Sequence, residues 1–382
     1  MRHILPLLIL SLLLAGCAAS PPEPTRQAAI PTEETTLPAT VPTETREAID
    51  PVQMLMDSMT TEEKVGQLFL ARCPAENAIE DIANYHLGGY ILFGQDFEGQ
   101  TPDTLGQILA DYQAVSPIPL LIAVDEEGGT VCRVSRYPAF RSSRFPAPRE
   151  SYAAGGMEQV LAMETEKAKL LSSLGINVNM GPVCDISTGF GAFLYARSLG
   201  QSPEETSRFV TSTVRIMENY RVGSVLKHFP GYGNNADTHT DIVRDDRSLE
   251  ELEACDLIPF AAGMEAGCGA VLVSHTIVTT FDESLPASLS SAVHDYIRQK
   301  MGYDGVIVTD DLVMQAITDS YGPEEAAVMA VLAGNDLLCS TEYAVQYDAV
   351  LEAVRSGRIP MAQLDRSVMR ILNWKKGLGL IF

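Results

Sequence analysis

Eight short apolar runs recur along the chain, and amphipathic stretches of helical period lie between them. The runs are Leu68-Phe69-Leu70, Gly89 to Phe93, Leu120 to Val124, Ile176 to Met180, Val225-Leu226, Ala270 to Val273, Val306 to Val308, and Asp336 to Leu338. Runs of this length read as buried strands, and the stretches between them as the crossover helices of βα units. Thr60-Thr61-Glu62-Glu63 is a capping box that opens one helix, and Ser202 with Glu205 is a second. In the helix that follows Ser202, Phe209, Val210, Val214 and Met217 share one face. Eight units suit a single (β/α)8 barrel of the TIM type. A doubly wound open sheet has a similar signature. The polar residues separate the two. Asp125 follows the third run, Asp185 the fourth, Lys227 and His228 the fifth, Ser274 and His275 the sixth, and Asp310 and Asp311 the seventh. A barrel brings all these strand ends to one face, whereas an open sheet spreads them along a line. The barrel is therefore expected, as a catalytic domain over residues 50–382.

Residues 1–49 have a different composition. Ile4 to Leu14 is an apolar run of signal-peptide length, too short to span a bilayer. Leu14-Ala15-Gly16-Cys17 follows, and it resembles the lipobox of bacterial lipoproteins. That resemblance implies cleavage after residue 16, lipidation of Cys17, and an anchor on the extracytoplasmic face of a bacterial membrane. Two acyl chains hold a protein stably where one does not. Residues 17–49 are rich in Pro, Thr and Glu, a composition that cannot bury enough apolar surface to offset its chain entropy. A disordered tether is expected, reaching on the order of 100 Å if extended.

The chain carries 50 Asp+Glu against 27 Lys+Arg, a net charge of −23. Such a chain repels phosphate backbones and anionic lipid surfaces, which disfavours nucleic-acid binding and leaves the lipid as the membrane contact. No GxGxxG follows a strand and no GxxxxGK[ST] occurs, so nucleotide binding has no support. Beyond Cys17, six cysteines are scattered without CxxC or metal spacing. Most read as buried small hydrophobes, with disulfides the lesser alternative. No cofactor and no metal is expected, and a monomer is.

Three clusters carry chemistry. In Asp125-Glu126-Glu127-Gly128-Gly129, followed by Arg133, a carboxylate at a strand end precedes a tight turn and an arginine. This suits hydroxyl recognition, and also a solvated acidic turn. In the segment Lys227 to Asp241, a Pro-Gly-x-Gly turn marks a loop. Asp237 and His239 are two residues apart, so an extended chain places them on one face as a general acid/base dyad. With Asp241 they also alternate as metal ligands do. In the third, Asp310 and Asp311 close a β-branched strand. A carboxylate nucleophile needs rigid placement of this kind, and Asp310 has it, whereas a helix N-cap is the alternative role. One role for each residue satisfies both.

These segments, with Arg197-Ser198-Leu199-Gly200, resemble glycoside hydrolase family 3, and in particular its single-domain β-N-acetylglucosaminidases. The resemblance implies Asp310 as nucleophile, His239 as acid/base and Asp237 as its partner. It also implies that Asp125, Arg133, Arg197, Lys227 and His228 bind sugar hydroxyls. The activity implied is retaining release of terminal β-linked N-acetylglucosamine from glycans such as cell-wall fragments. The loop reads Gly-Tyr-Gly-Asn-Asn where many relatives have Gly-His-Gly-Asp-Thr, and Trp374 is the sole tryptophan. A β-glucosidase or β-xylosidase, a phosphorylase, a metal-dependent enzyme built on Asp125, Asp185 and Asp310, and a non-catalytic glycan-binding lipoprotein are the alternatives.

Overall fold

The computed structural model describes residues 50–235 and 243–382. The expected signal, Cys17 and the tether lie outside the described residues, as do Asp237, His239 and Asp241. Eight parallel strands occupy the positions of the eight apolar runs: β1 (Phe69–Arg72), β2 (Gly89–Leu92), β3 (Leu121–Val124), β4 (Val178–Asn179), β5 (Gly223–Phe229), β6 (Ala270–Val273), β7 (Val306–Thr309) and β8 (Leu338–Ser340).

Each strand pairs with its neighbours in chain order, from β1 to β7, and β8 pairs with β1 through Phe69 opposite Leu338. A parallel bridge between Val308 and Leu337 joins β7 to β8 and closes the ring. The Thr309 amide reinforces it by donating to the Leu337 carbonyl at 3.1 Å. The ring with its intervening helices is the TIM-type barrel expected from the sequence. An open sheet would have left two unpaired edges.

The strands read as near-continuous apolar runs because helices cover their outer faces while side chains fill the interior. The residues of β2, β3, β6 and β7 are all buried. The helix Pro203–Asn219 buries Phe209, Val210, Val214 and Met217, as its periodicity predicts. Thr60 and Glu63 form the predicted reciprocal cap. At Ser202 the Glu205 amide donates to the side chain, while the Glu205 carboxylate accepts instead from Tyr152 and Arg208.

Two strand boundaries differ from the sequence expectation. β5 runs on to Phe229, so Lys227 and His228 lie within a strand rather than in the loop after it. β8 starts at Leu338, because Asp336 serves another purpose: its buried carboxylate accepts from Arg298, Arg370, Ser367 and the Ile307 amide. Five of the six cysteines among the described residues are buried, and all six are free thiols.

Trp374, on the C-terminal helix Met361–Gly377, closes the end of the barrel where strands begin. A Cβ on Gly269 would lie 1.9 Å from its Nε1, and one on Gly223 would lie 2.8 Å from its ring. The tryptophan is thus a floor plug, at the opposite end from the strand termini that carry polar residues.

Candidate active site

A cavity of about 830 Å³ opens at the C-terminal ends of the strands. Asp125, Arg133, Arg197, Lys227, His228 and Asp310 all line it. The barrel thereby brings together six of the eight catalytic and sugar-binding candidates read from the sequence, from the ends of β3, β5 and β7 and the loops after β3 and β4. The other two, Asp237 and His239, belong to the undescribed segment between Asn235 and Val243.

Asp125 follows β3 directly, and a short hairpin of Glu126–Gly128 against Val131–Cys132 comes next. Glycine is required at its turn: Gly128 has φ +107°, and a Cβ there would lie 2.3 Å from the Pro146 carbonyl oxygen. Glu126 is fully buried. Its carboxylate accepts from the amides of Arg133, Val134 and Ser135, at 2.9, 2.7 and 3.2 Å, and from the Ser135 hydroxyl. These donors wrap the chain around Glu126 and set Arg133 on the cavity wall. The Nε of Arg133 is buried and has no hydrogen-bond partner among the described residues. Its guanidinium and that of Arg72 both lie against the Phe93 ring, at 5.5 and 4.6 Å.

Glu127 points the other way and is the hub of an ion-pair network. Arg197 donates to it twice, from Nε at 2.8 Å and Nη2 at 2.7 Å. Lys227 Nζ lies 2.6 Å from Glu127 and 2.6 Å from Asp125. Two cations and two carboxylates thus balance in a nearly dry wall. Burial pushes the Glu127 carboxyl up, but Arg197 and Lys227 outweigh it and hold the group well below the usual carboxylate range. Burial likewise disfavours the Lys227 ammonium, and Asp125 with Glu127 hold its pKa above the ordinary value.

His228 is oriented from behind. Its Nδ1 lies 2.8 Å from Asp185, whose carboxylate also accepts from the His228 and Tyr232 amides at 2.9 and 2.8 Å. The other ring nitrogen lies 3.1 Å from Arg197 Nη2. A guanidinium only donates, so Nε2 is the acceptor and Nδ1 carries the hydrogen toward Asp185.

The two adjacent aspartates divide their roles. Asp310 is half-buried at the end of β7, and the Asp311 amide donates to its Oδ1 at 3.0 Å. The Asp311 carboxylate accepts from the Thr341 hydroxyl at 2.6 Å and from the Val313 and Thr341 amides. It caps the following turn and ties the ends of β7 and β8 together. Burial pushes its pKa up.

Sequence reasoning missed Glu127, which shares Lys227 with Asp125 while its neighbour Glu126 faces the other way. It read Asp185 as a strand end and as a ligand in the metal alternative, but not as the partner of His228, which is distant in sequence. Phe93 and Phe193, which line the cavity, carried no signal beyond being aromatic. In the metal alternative, Asp125 and Asp185 are committed to Lys227 and His228, and the described residues hold no cluster of three or more His, Cys, Asp or Glu suited to a metal.

A convergent set of carboxylates and cations lines the cavity at the C-terminal face of the barrel, and comparison with known proteins gives it a lineage. The model of the glycosyl hydrolase family 3 N-terminal domain matches residues 60–374. Beta-hexosaminidase LpqI of Mycobacterium tuberculosis is 32% identical over 330 residues, covering 83% of each chain. A beta-hexosaminidase of Stenotrophomonas maltophilia is 35% identical over 291 residues, covering 73% of this chain and 83% of the relative. Among solved structures, a family 3 β-N-acetylglucosaminidase from Paenibacillus superposes with a TM-score of 0.79 at 34% identity, over 85% of this chain. This chain spans 63% of that protein's length. The M. tuberculosis LpqI structure superposes with a TM-score of 0.77 at 29% identity, over 85% of this chain and 96% of LpqI. The chain belongs to glycoside hydrolase family 3.

Proposed function

We propose that this chain is a retaining exo-glycosidase that releases terminal β-linked N-acetylglucosamine from glycans. One observation carries the reading: Asp310 faces the same cavity as the Asp125–Lys227–Glu127–Arg197–His228 network. The network supplies fixed donors and acceptors for sugar hydroxyls, and Asp310 supplies a carboxylate on a rigid strand end.

In the first step, Asp310 attacks the anomeric carbon and a glycosyl-enzyme forms as the aglycone oxygen leaves. The proton for that oxygen comes from His239, held by Asp237. This assignment rests on the Asp-x-His motif, since both residues lie outside the described set. In the second step, neutral His239 takes a proton from water, which displaces the sugar from Asp310. An imidazole with an ordinary pKa of about 6.5 serves both directions near neutral pH.

The membrane assignment is part of the same proposal. Cys17 carries the lipid, and residues 17–49 hold the barrel away from the extracytoplasmic face. No helix among the described residues is long and apolar enough to cross a membrane. Cys17→Ser should abolish incorporation of a labelled fatty acid; undiminished label would refute the anchor.

The activity is tested with aryl N-acetyl-β-glucosaminide beside aryl β-glucoside, using the wild type and Asp310→Asn. Turnover of the first substrate, lost in the variant, is the expected result. Preference for the glucoside would overturn the substrate assignment. Activity that survives in the variant would overturn the nucleophile.

A further inference from the structure

His275 is fully buried just after β6, in a part of the barrel that the reaction scheme leaves unused. It bridges two loops. Its Nε2 lies 3.0 Å from the Asp311 carbonyl oxygen, and its Nδ1 lies 2.7 Å from the Ser288 hydroxyl. A carbonyl only accepts, so Nε2 carries a hydrogen and donates it. In the neutral ring, Nδ1 then accepts from the Ser288 hydroxyl.

Ser288 is itself fixed. Its amide donates to the Ser274 carbonyl at 3.0 Å, and its carbonyl accepts from Asn335 Nδ2 at 2.7 Å. Both Ser288 and Asn335 are fully buried. The turn over Pro286 to Ser290 folds back beneath the end of β6, which explains why a serine at 288 sits on a histidine thirteen residues upstream. On its other side, Asp311 is held by Thr341 at the end of β8. Asp311 is therefore fastened from β6 through its carbonyl and from β8 through its carboxylate. Its amide, left between these two restraints, donates to Asp310 Oδ1.

We propose that His275 is a positioning residue for Asp310. Locked as a donor by Ser288, it holds the Asp311 backbone so that the Asp311 amide sets the orientation of the Asp310 carboxylate. The chain of contacts runs Asn335, Ser288, His275, Asp311, Asp310, and every link is a hydrogen bond of 2.7–3.0 Å. A carboxylate nucleophile gains from this because misplacement by about 1 Å costs on the order of 100-fold in rate. Substrate binding, which falls to the Asp125–Lys227–Arg197 wall, does not draw on these contacts. The proposal rests on the reading of Asp310 as nucleophile.

The test compares His275→Leu, which removes the donor, with His275→Gln, whose amide nitrogen reaches the place of Nε2. Kinetics are measured on aryl N-acetyl-β-glucosaminide, and melting temperatures confirm that each variant folds. His275→Leu is expected to lose about 100-fold in kcat with KM within about threefold, and His275→Gln to recover most of that loss. Ser288→Ala, a milder change, is expected to lose about tenfold in kcat and to keep KM. Equal losses in the Leu and Gln variants, or a loss that falls on KM, would overturn the proposal. If His275→Leu does not fold, Ser288→Ala decides alone, and wild-type kcat there would overturn it. Asp310→Ala with azide separates the two levels. Rescue to a glycosyl azide upholds the nucleophile whatever His275 does, and wild-type turnover without azide would remove the nucleophile instead.

Discussion

Arg197 holds Glu127 through two parallel hydrogen bonds, Nε to Oε2 at 2.8 Å and Nη2 to Oε1 at 2.7 Å. The side chain of Glu127 is 1% exposed and that of Arg197 is 11% exposed, so the pair works in a medium where charge is costly to leave alone. Lys227 shares the same carboxylate and links it to Asp125. Glu127, which touches cavity residues rather than the cavity itself, is thus the point from which the proposed sugar-binding wall is organised.

Glu127→Gln should reduce kcat/KM by about 100-fold or more and lower stability by about 3–5 kcal/mol, because it takes the carboxylate from buried Arg197 and leaves Lys227 with Asp125 alone. The pH dependence follows from the depressed carboxyl pKa. Its contribution is fully present above the unfolded value of about 4.3 and is lost as pH falls through the lower folded value. Thermal melts from pH 7 to pH 3 should fall steeply for the wild type and less so for the variant. Parallel curves would contradict this account.

Asp185→Asn should act through the His228 tautomer. The aspartate accepts three donors, and an amide nitrogen in its place would face at least one of them. A loss of about 2 kcal/mol in stability and a rise in KM are expected, since His228 belongs to the proposed binding wall. A change confined to kcat would place His228 in the chemistry instead.

Lys375 is fully buried under the barrel, with Gln67 Oε1 at 2.7 Å as its hydrogen-bond partner, and burial lowers its pKa to about 7. An unfolded lysine titrates near 10.4, so the unfolded chain binds the extra proton between these values. Stability should therefore rise with pH from about 7 to about 10.4, and below 7 the burial penalty is fully present. Lys375→Met should remove this dependence and stabilise the protein at pH 6 by about 1–3 kcal/mol, the orphaned Gln67 offsetting part of the gain. Denaturant titrations at pH 6 and pH 9 check it, and destabilisation at pH 6 would contradict it.

Gly269→Ala should disturb the barrel floor. The added methyl would meet the Trp374 indole at 1.9 Å, so the ring has to move. A cost of about 2–3 kcal/mol is expected, with a red-shifted emission from the sole tryptophan. Catalysis, at the opposite end, should change little in the folded fraction.

The barrel was legible because each strand announced itself as an apolar run and each of its polar termini as a break in that run. Asp310 was legible for the same reason. The division of labour between Asp310 and Asp311 was visible only as two compatible roles, since Thr341, which settles it, lies thirty residues downstream. Glu127 and Asp185 were obscure because their partners, Arg197 and His228, are far away in the chain, and a one-residue alternation decides which carboxylate faces inward. Trp374 carried no role in the sequence, and only its close approach to Gly223 and Gly269 reveals a plug. Lys227 and His228 were placed in a loop because the following Pro-Gly turn masked the last three strand residues, Lys227 to Phe229.

The central claim is that Asp310 becomes covalently glycosylated. Brief reaction with 5-fluoro-N-acetyl-β-glucosaminyl fluoride, followed by peptide mass spectrometry, tests it most directly. The account predicts one added sugar, on Asp310 within the peptide that follows β7, accumulating as activity is lost. Label on another carboxylate, or inactivation without any covalent sugar, would contradict it.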